Sequence, residues 1–238
     1  MKTIGLLGGM SWESTQSYYR LINEGVRDRL GGLHSAECVL YSVDFEPIEQ
    51  LQAAGDWEAA GEVLARAARG VEAAGAEFLV LCTNTMHKVA PEIEDAIGIP
   101  LLHIADATAS AVKSAGVTTV GLLGTRFTMT EDFYCGRLTE RHGLDVLVPS
   151  EPERATVDKV IFEELCVGKI LEDSRARYAD VIRNLITQGA QAVILGCTEI
   201  SLLVGPKDAP VPLFDTTDIH AKKAVDWALT GGVPWQIE

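Results

Sequence analysis

One passage of this 238-residue chain occurs twice. Gly75-Ala76-Glu77-Phe78-Leu79-Val80-Leu81-Cys82-Thr83-Asn84-Thr85 is echoed by Gly189-Ala190-Gln191-Ala192-Val193-Ile194-Leu195-Gly196-Cys197-Thr198-Glu199. Two further blocks repeat in the same order. Thr3-Ile4-Gly5-Leu6-Leu7-Gly8 matches Thr119-Val120-Gly121-Leu122-Leu123-Gly124, and Ile99-Pro100-Leu101-Leu102-His103 matches Val211-Pro212-Leu213-Phe214-Asp215. The spacing stays between 112 and 116 residues throughout. A period this long denotes duplicated domains and not a solenoid. The chain must therefore build one architecture twice.

Within each half, short apolar runs alternate with helical patterns. Residues 4–7, 38–43, 78–81 and 101–104 read as strands in the first half, and 120–123, 145–148, 193–195 and 213–214 in the second. Helices are expected over 16–30 and 56–74, then over 129–142, 156–165 and 174–188. Such alternation predicts an α/β fold: two similar Rossmann-like lobes with mostly parallel sheets and helices on both faces. The first lobe is expected to hold residues 1–102 with a return from about 213–238, and the second 103–212. Ligands in open α/β sheets bind beyond the carboxyl ends of the strands. That places the site at Gly8-Gly9-Met10-Ser11, Thr83-Asn84-Thr85, Gly124-Thr125 and Cys197-Thr198-Glu199, in a cleft expected between the lobes.

A formal net charge of −14 argues against nucleic acid or an anionic membrane surface as partner, since both repel an acidic protein. An anionic small molecule is still admissible, because helix N-termini and backbone amides make positive pockets locally. No apolar run approaches the roughly 20 residues of a membrane helix. The first residues enter a strand directly, without the layout of a signal peptide. The 5 cysteines include no Cys-x-x-Cys pair, so neither a disulfide framework nor a structural zinc site is expected, and the default compartment is a reducing cytoplasm.

Cys197 carries the strongest chemical signal. A thiol at a strand-to-helix turn gains from the helix dipole, which favours the thiolate and so suits proton removal near neutral pH. A buried structural cysteine is the bland alternative, and the matched turn in the other half weighs against it. In that turn Thr83 stands opposite Cys197. Neighbouring strand side chains point to opposite faces, so Thr83 is expected to face the site and Cys82 to pack behind it. Asn84, Thr85, Thr198 and Glu199 offer groups able to hold an α-carboxylate and an α-ammonium, or simply to cap helices. His87, one helical turn on, is a supporting candidate. Gly5-x-x-Gly8-Gly9 lacks the dinucleotide spacing.

Gly8-Gly9-Met10-Ser11-Trp12, Cys82-Thr83-Asn84-Thr85-Met86-His87 and Gly196-Cys197-Thr198-Glu199 together resemble the aspartate/glutamate racemase family, along essentially the whole chain. The nearest likeness is to the bacterial broad-specificity amino-acid racemases. The resemblance implies a cofactor-independent isomerase that interconverts L- and D-amino acids in the cytoplasm as a homodimer. Thr83 and Cys197 would exchange protons with the two faces of Cα. Substrate contacts would fall to Met10, Gln52, Thr83, Asn84, Thr85, Thr198 and Glu199, with no metal and no cofactor. No lysine sits in a matched turn, in keeping with the absence of a pyridoxal Schiff base.

Two departures from the family pattern bear on specificity. Thr83 replaces the cysteine usual at the first turn, and Gln52 and Cys166 fall where an arginine and a lysine commonly grip a side-chain carboxylate. Substrates beyond aspartate and glutamate are therefore expected, including neutral amino acids such as homoserine. The competing readings are a maleate isomerase or hydantoin racemase-like enzyme on the same scaffold, and a two-lobed binding protein without chemistry.

Overall fold

A computed structural model describes residues 1–231. These divide into two compact units, Met1–His103 with the stretch from His220 onward, and Ile104–Ile219. In the first, β1 (Ile4–Gly8), α1 (Trp12–Leu30), β2 (Cys38–Ser42), α2 (Phe45–Ala54), α3 (Trp57–Ala73) and β3 (Phe78–Leu81) are followed by a 3-10 turn (Thr85–Val89), α4 (Ala90–Ala96) and β4 (Leu101–Leu102). The second contains α5 (Ile104–Ser114), β5 (Thr119–Gly124), α6 (Arg126–Thr130), a π turn (Arg137–Arg141), β6 (Asp145–Leu147) and α7 (Glu151–Glu163). A 3-10 turn (Leu165–Val167), α8 (Glu172–Thr187), β7 (Ala192–Gly196), α9 (Ile200–Leu203) and β8 (Leu213–Asp215) follow. Helix α10 (Thr216–Thr230) then carries the chain back to the first unit.

Both sheets are parallel and share one strand order, β2-β1-β3-β4 in the first and β6-β5-β7-β8 in the second. The repeated blocks also keep register. Gly5 pairs with Leu79, and its counterpart Gly121 pairs with Val193. At both glycines a helix lies against the strand so closely that a Cβ would collide, with Val71 of α3 at Gly5 and with Leu185 of α8 at Gly121. The glycine of each block therefore marks a close approach of backbone and helix.

Period-two alternation explains the two cores of the first unit. Ile4, Leu6, Phe78 and Val80 pack with Tyr18, Ile22 and Val26 of α1 and with Ala221, Ala224 and Val225 of α10. Leu7, Leu79 and Leu81 pack on the other face with Leu64, Ala68 and Val71 of α3. In the second unit, Val120, Leu122 and Ile194 join Ile104, Ala105 and Val112 of α5 in the core. Each unit is thus completed by the helix that follows the other unit's last strand. Strand β8 (Leu213–Asp215) pairs with β7 and completes the second sheet, and the second unit runs on to Ile219, so the return begins at His220, not at about Leu213. Residues 232–238 of that expected return lie outside the described residues.

The helix expected over 129–142 is broken. Helix α6 closes at Thr130, where Glu131 N–H bonds Phe127 O, and the chain then turns to bury Tyr134 in the core before the π turn. Helices α2, α5 and α10 were not expected. The buried faces of α5 and α10 are built largely from alanine and threonine, whereas α2 carries its apolar row, Phe45, Ile48 and Leu51, over only ten residues.

Helix α5 is pinned by Asp106. Arg137 donates to both its carboxylate oxygens at 2.7 Å, and His142 Nε2 donates at 2.8 Å. Burial alone would raise the Asp106 pKa; the hydrogen bonds from Arg137 and His142, with the charges of Arg137 and Arg141, outweigh it and hold the carboxyl below its ordinary value. A depressed folded pKa contributes stability that is present above the unfolded value, and this stability is lost as pH falls through the folded one. Asp106→Asn should therefore cost about 2–4 kcal/mol at neutral pH. The loss should shrink as acid titrates the wild type, which urea melts at descending pH will register.

Candidate active site

In each sheet the chain leaves the first strand to one side and returns on the other, which makes a switch point between β1 and β3, and between β5 and β7. Such points open a crevice at the carboxyl ends of the strands. The repeated turns occupy both.

In the first unit, β1 ends in Gly8-Gly9. A Cβ at Gly8 would strike the Thr15 side chain, and one at Gly9 would strike the Val43 backbone. Gly9 also has φ of +98°, a conformation other residues rarely adopt. Ser11 caps α1 by accepting from Ser14 N–H, and Thr15 Oγ1 accepts from Gly9 N–H at 2.8 Å. Ser14 Oγ then donates to Cys82 O at 3.2 Å, tying the turn after β1 to the turn after β3. Cys82 N–H still pairs with Leu7 O, whereas Thr83 N–H folds back to Leu81 O at 2.9 Å and ends the strand. Cys82 accordingly points into the core that α1 covers, where burial pushes its thiol far above the ordinary range. Thr83, Asn84 and Thr85 follow, 4–8 % exposed. Met10 and Gln52 are buried in the same unit, and Gln52 Nε2 donates to Met86 Sδ at 3.0 Å.

The second unit arranges its turn around one carboxylate. Cys197 Sγ donates to Glu199 Oε2 at 3.0 Å, and Thr198 Oγ1 donates to the same oxygen at 2.6 Å. Burial raises the Cys197 pKa well above its ordinary value, and the adjacent negative charge of Glu199 and the nearby Cys166 raise it further. The expectation of a dipole-stabilised thiolate is therefore corrected. Helix α9 has only 4 residues, and a carboxylate lies against the sulfur. Cys197 rests as a thiol, held against a hydrogen-bond acceptor.

Met10, Gln52, Thr83, Asn84 and Thr85 thus gather around the β1/β3 switch point of the first unit, and Cys197, Thr198 and Glu199 follow β7 in the second. Sequence reasoning missed Ser14 and Thr15, which fasten the first turn. The Ser11-x-x-Ser14-Thr15 run after paired glycines is their only local signal.

A model of the Asp/Glu/hydantoin racemase family matches residues 7–224. The chain is similar to the structure of a candidate Asp/Glu racemase from Yersinia pestis, with 59% identity and a TM-score of 0.91 over 96% of this chain and 100% of that one. It is also similar to an aspartate racemase homologue from Pyrococcus horikoshii OT3, with 36% identity and a TM-score of 0.83 over 96% and 99%. Among curated proteins, it shares 24% identity over 155 residues with the broad specificity amino-acid racemase RacX of Bacillus subtilis (strain 168), covering 65% of this chain and 66% of RacX. The family match takes in both sheets and both repeated turns, and the chain belongs to the Asp/Glu/hydantoin racemase family.

Proposed function

We propose that this chain is a cofactor-independent amino-acid racemase in which Cys197 and Thr83 exchange protons with opposite faces of one Cα. The observation that carries this reading is the hydrogen bond from Cys197 to Glu199, at the position that the repeat matches to the Thr83 turn. A buried thiol against a carboxylate is a proton donor at rest. An incoming α-ammonium gives Glu199 a counter-charge. That offsets the field raising the thiol pKa, so the sulfur can release its proton to solvent and, as the thiolate, take the proton from Cα. Asn84, Thr85 and Thr198, with the turn amides, are suited to hold the α-carboxylate as charge develops on it.

Gln52 and Cys166 stand where the family resemblance expects cations, and Gln52 directs its amide to Met86. A site without those charges selects less strongly for acidic side chains, and the name of RacX points the same way. Substrates are therefore read as aspartate and glutamate together with neutral amino acids such as homoserine. A chiral assay in deuterated water across such a panel should show inversion and Cα deuteration of several members. No exchange on any amino acid overturns the racemase reading, and an aspartate preference above about a hundredfold overturns the broad specificity.

A further inference from the structure

A polar cluster stands behind the Thr83 turn, and the proton-transfer scheme makes no use of it. His87, His103 and His220 are 1, 4 and 0 % exposed. His87 Nδ1 lies 2.7 Å from Thr83 O. A carbonyl only accepts, so Nδ1 carries a proton and donates it. The His87 ring centroid is 4.5 Å from that of His103 and 6.0 Å from that of His220. His220 is held from both sides. Its Nε2 donates to Leu102 O at 2.7 Å, and its Nδ1 accepts from Tyr18 OH at 2.9 Å. Burial lowers the His220 pKa to about 4, so it stays neutral in that tautomer at physiological pH.

The duplication gives this cluster a counterpart. The repeat matches His87 to Ser201 and His103 to Asp215. In the second unit Ser201 Oγ donates to Thr198 O at 3.0 Å, and its hydroxyl lies close enough to the Asp215 carboxyl to favour the ionised form. Both units thus tie a carbonyl of the reactive turn to a polar side chain one helical turn on. In both, that side chain meets the residue at the end of the neighbouring strand. The carbonyls engaged stand one position apart, because the repeat matches Thr83 to Cys197 and Asn84 to Thr198, so the two halves share the fastening of the turn but not the atom fastened.

We infer that His87 is a positioning residue, which fixes the Thr83 turn through its carbonyl and so aims the Thr83 hydroxyl at Cα. The inference rests on the racemase reading above. A hydroxyl on a β-branched side chain has few rotamers, and the turn backbone selects among them. A threonine is a weak proton carrier, so its geometry tolerates little error.

Deuterium uptake at Cα tests this, using each enantiomer of whichever of aspartate, glutamate and homoserine turns over fastest. Thr83→Ala identifies the enantiomer whose exchange depends on Thr83. His87→Leu should slow exchange of that same enantiomer roughly 10- to 100-fold and the other less than about threefold, since an ångström of misplacement costs about that much. His87→Asn, whose amide reaches the Nδ1 position, should stay within about threefold of wild type for both. Should His87→Leu not fold, His87→Gln replaces it with the same expectation, since its amide sits at the Nε2 position and misses the carbonyl. Equal slowing of both enantiomers, no slowing, or an Asn variant as impaired as Leu overturns the inference alone. Equal slowing of both enantiomers by Thr83→Ala overturns the reading it rests on as well.

Discussion

Cys197→Ser is expected to lower racemisation at least about a thousandfold in both directions, with the fold intact. Serine preserves the size of the side chain and its hydrogen bond to Glu199, so packing around the turn is little changed. What is lost is a group whose proton can leave. Free thiols ionise near pH 8.5, while an alkyl hydroxyl ionises far outside the accessible range. Because burial and Glu199 hold the Cys197 pKa well above its ordinary value, the free enzyme carries a protonated thiol at neutral pH. Turnover from free enzyme needs one proton fewer, so kcat/KM should climb with pH through the neutral range by about tenfold per unit. The climb must be equal for the two enantiomers, whose free energies in water are equal. A flat profile between pH 6 and 8 would instead indicate the dipole-stabilised thiolate anticipated from the sequence, and full activity in Cys197→Ser would remove the residue from the mechanism.

How the Cys197 environment departs from that anticipation illustrates where sequence reasoning stops. The duplication, the parallel sheets and the two reactive turns were legible because they depend on local pattern: apolar runs, glycines at close approaches such as Gly5 and Gly121, and polar residues at strand ends. Strand order followed from no residue, but its identity in the two sheets was implied once the blocks matched in sequence order. The ionisation of Cys197 was not legible, since it depends on burial and on where the Glu199 carboxylate swings. The bond from Ser14 to Cys82 O and the tilted contact of His87 with His103 join residues distant in sequence and likewise required coordinates. Helices α5 and α10 escaped notice for a different reason. Their buried faces consist largely of alanine and threonine, which carry little periodic signal, and the core that each completes lies in the other half of the chain.

Thr83→Ala should separate the two faces of the reaction. If Cys197 serves one face and Thr83 the other, loss of the hydroxyl stops inversion in both directions, because every inversion needs both partners. We expect inversion to fall at least about a hundredfold. Exchange behaves differently. Cys197 can still remove the proton from one enantiomer, trade it for solvent deuterium and return it to the same face, so that enantiomer gains deuterium with retention of configuration. The other enantiomer presents its proton to the missing hydroxyl and should gain almost none. Cys197→Ser should show the mirror pattern, with the weaker hydroxyl partner limiting what remains. Thr83→Cys restores a thiol on the same turn, one residue from the core-facing Cys82, and should match or exceed wild-type inversion, since a thiol parts with its proton far more readily than a hydroxyl. Deuterium uptake by both enantiomers of Thr83→Ala at similar rates would show that the second proton comes from elsewhere, and Thr83 would then be a substrate contact only.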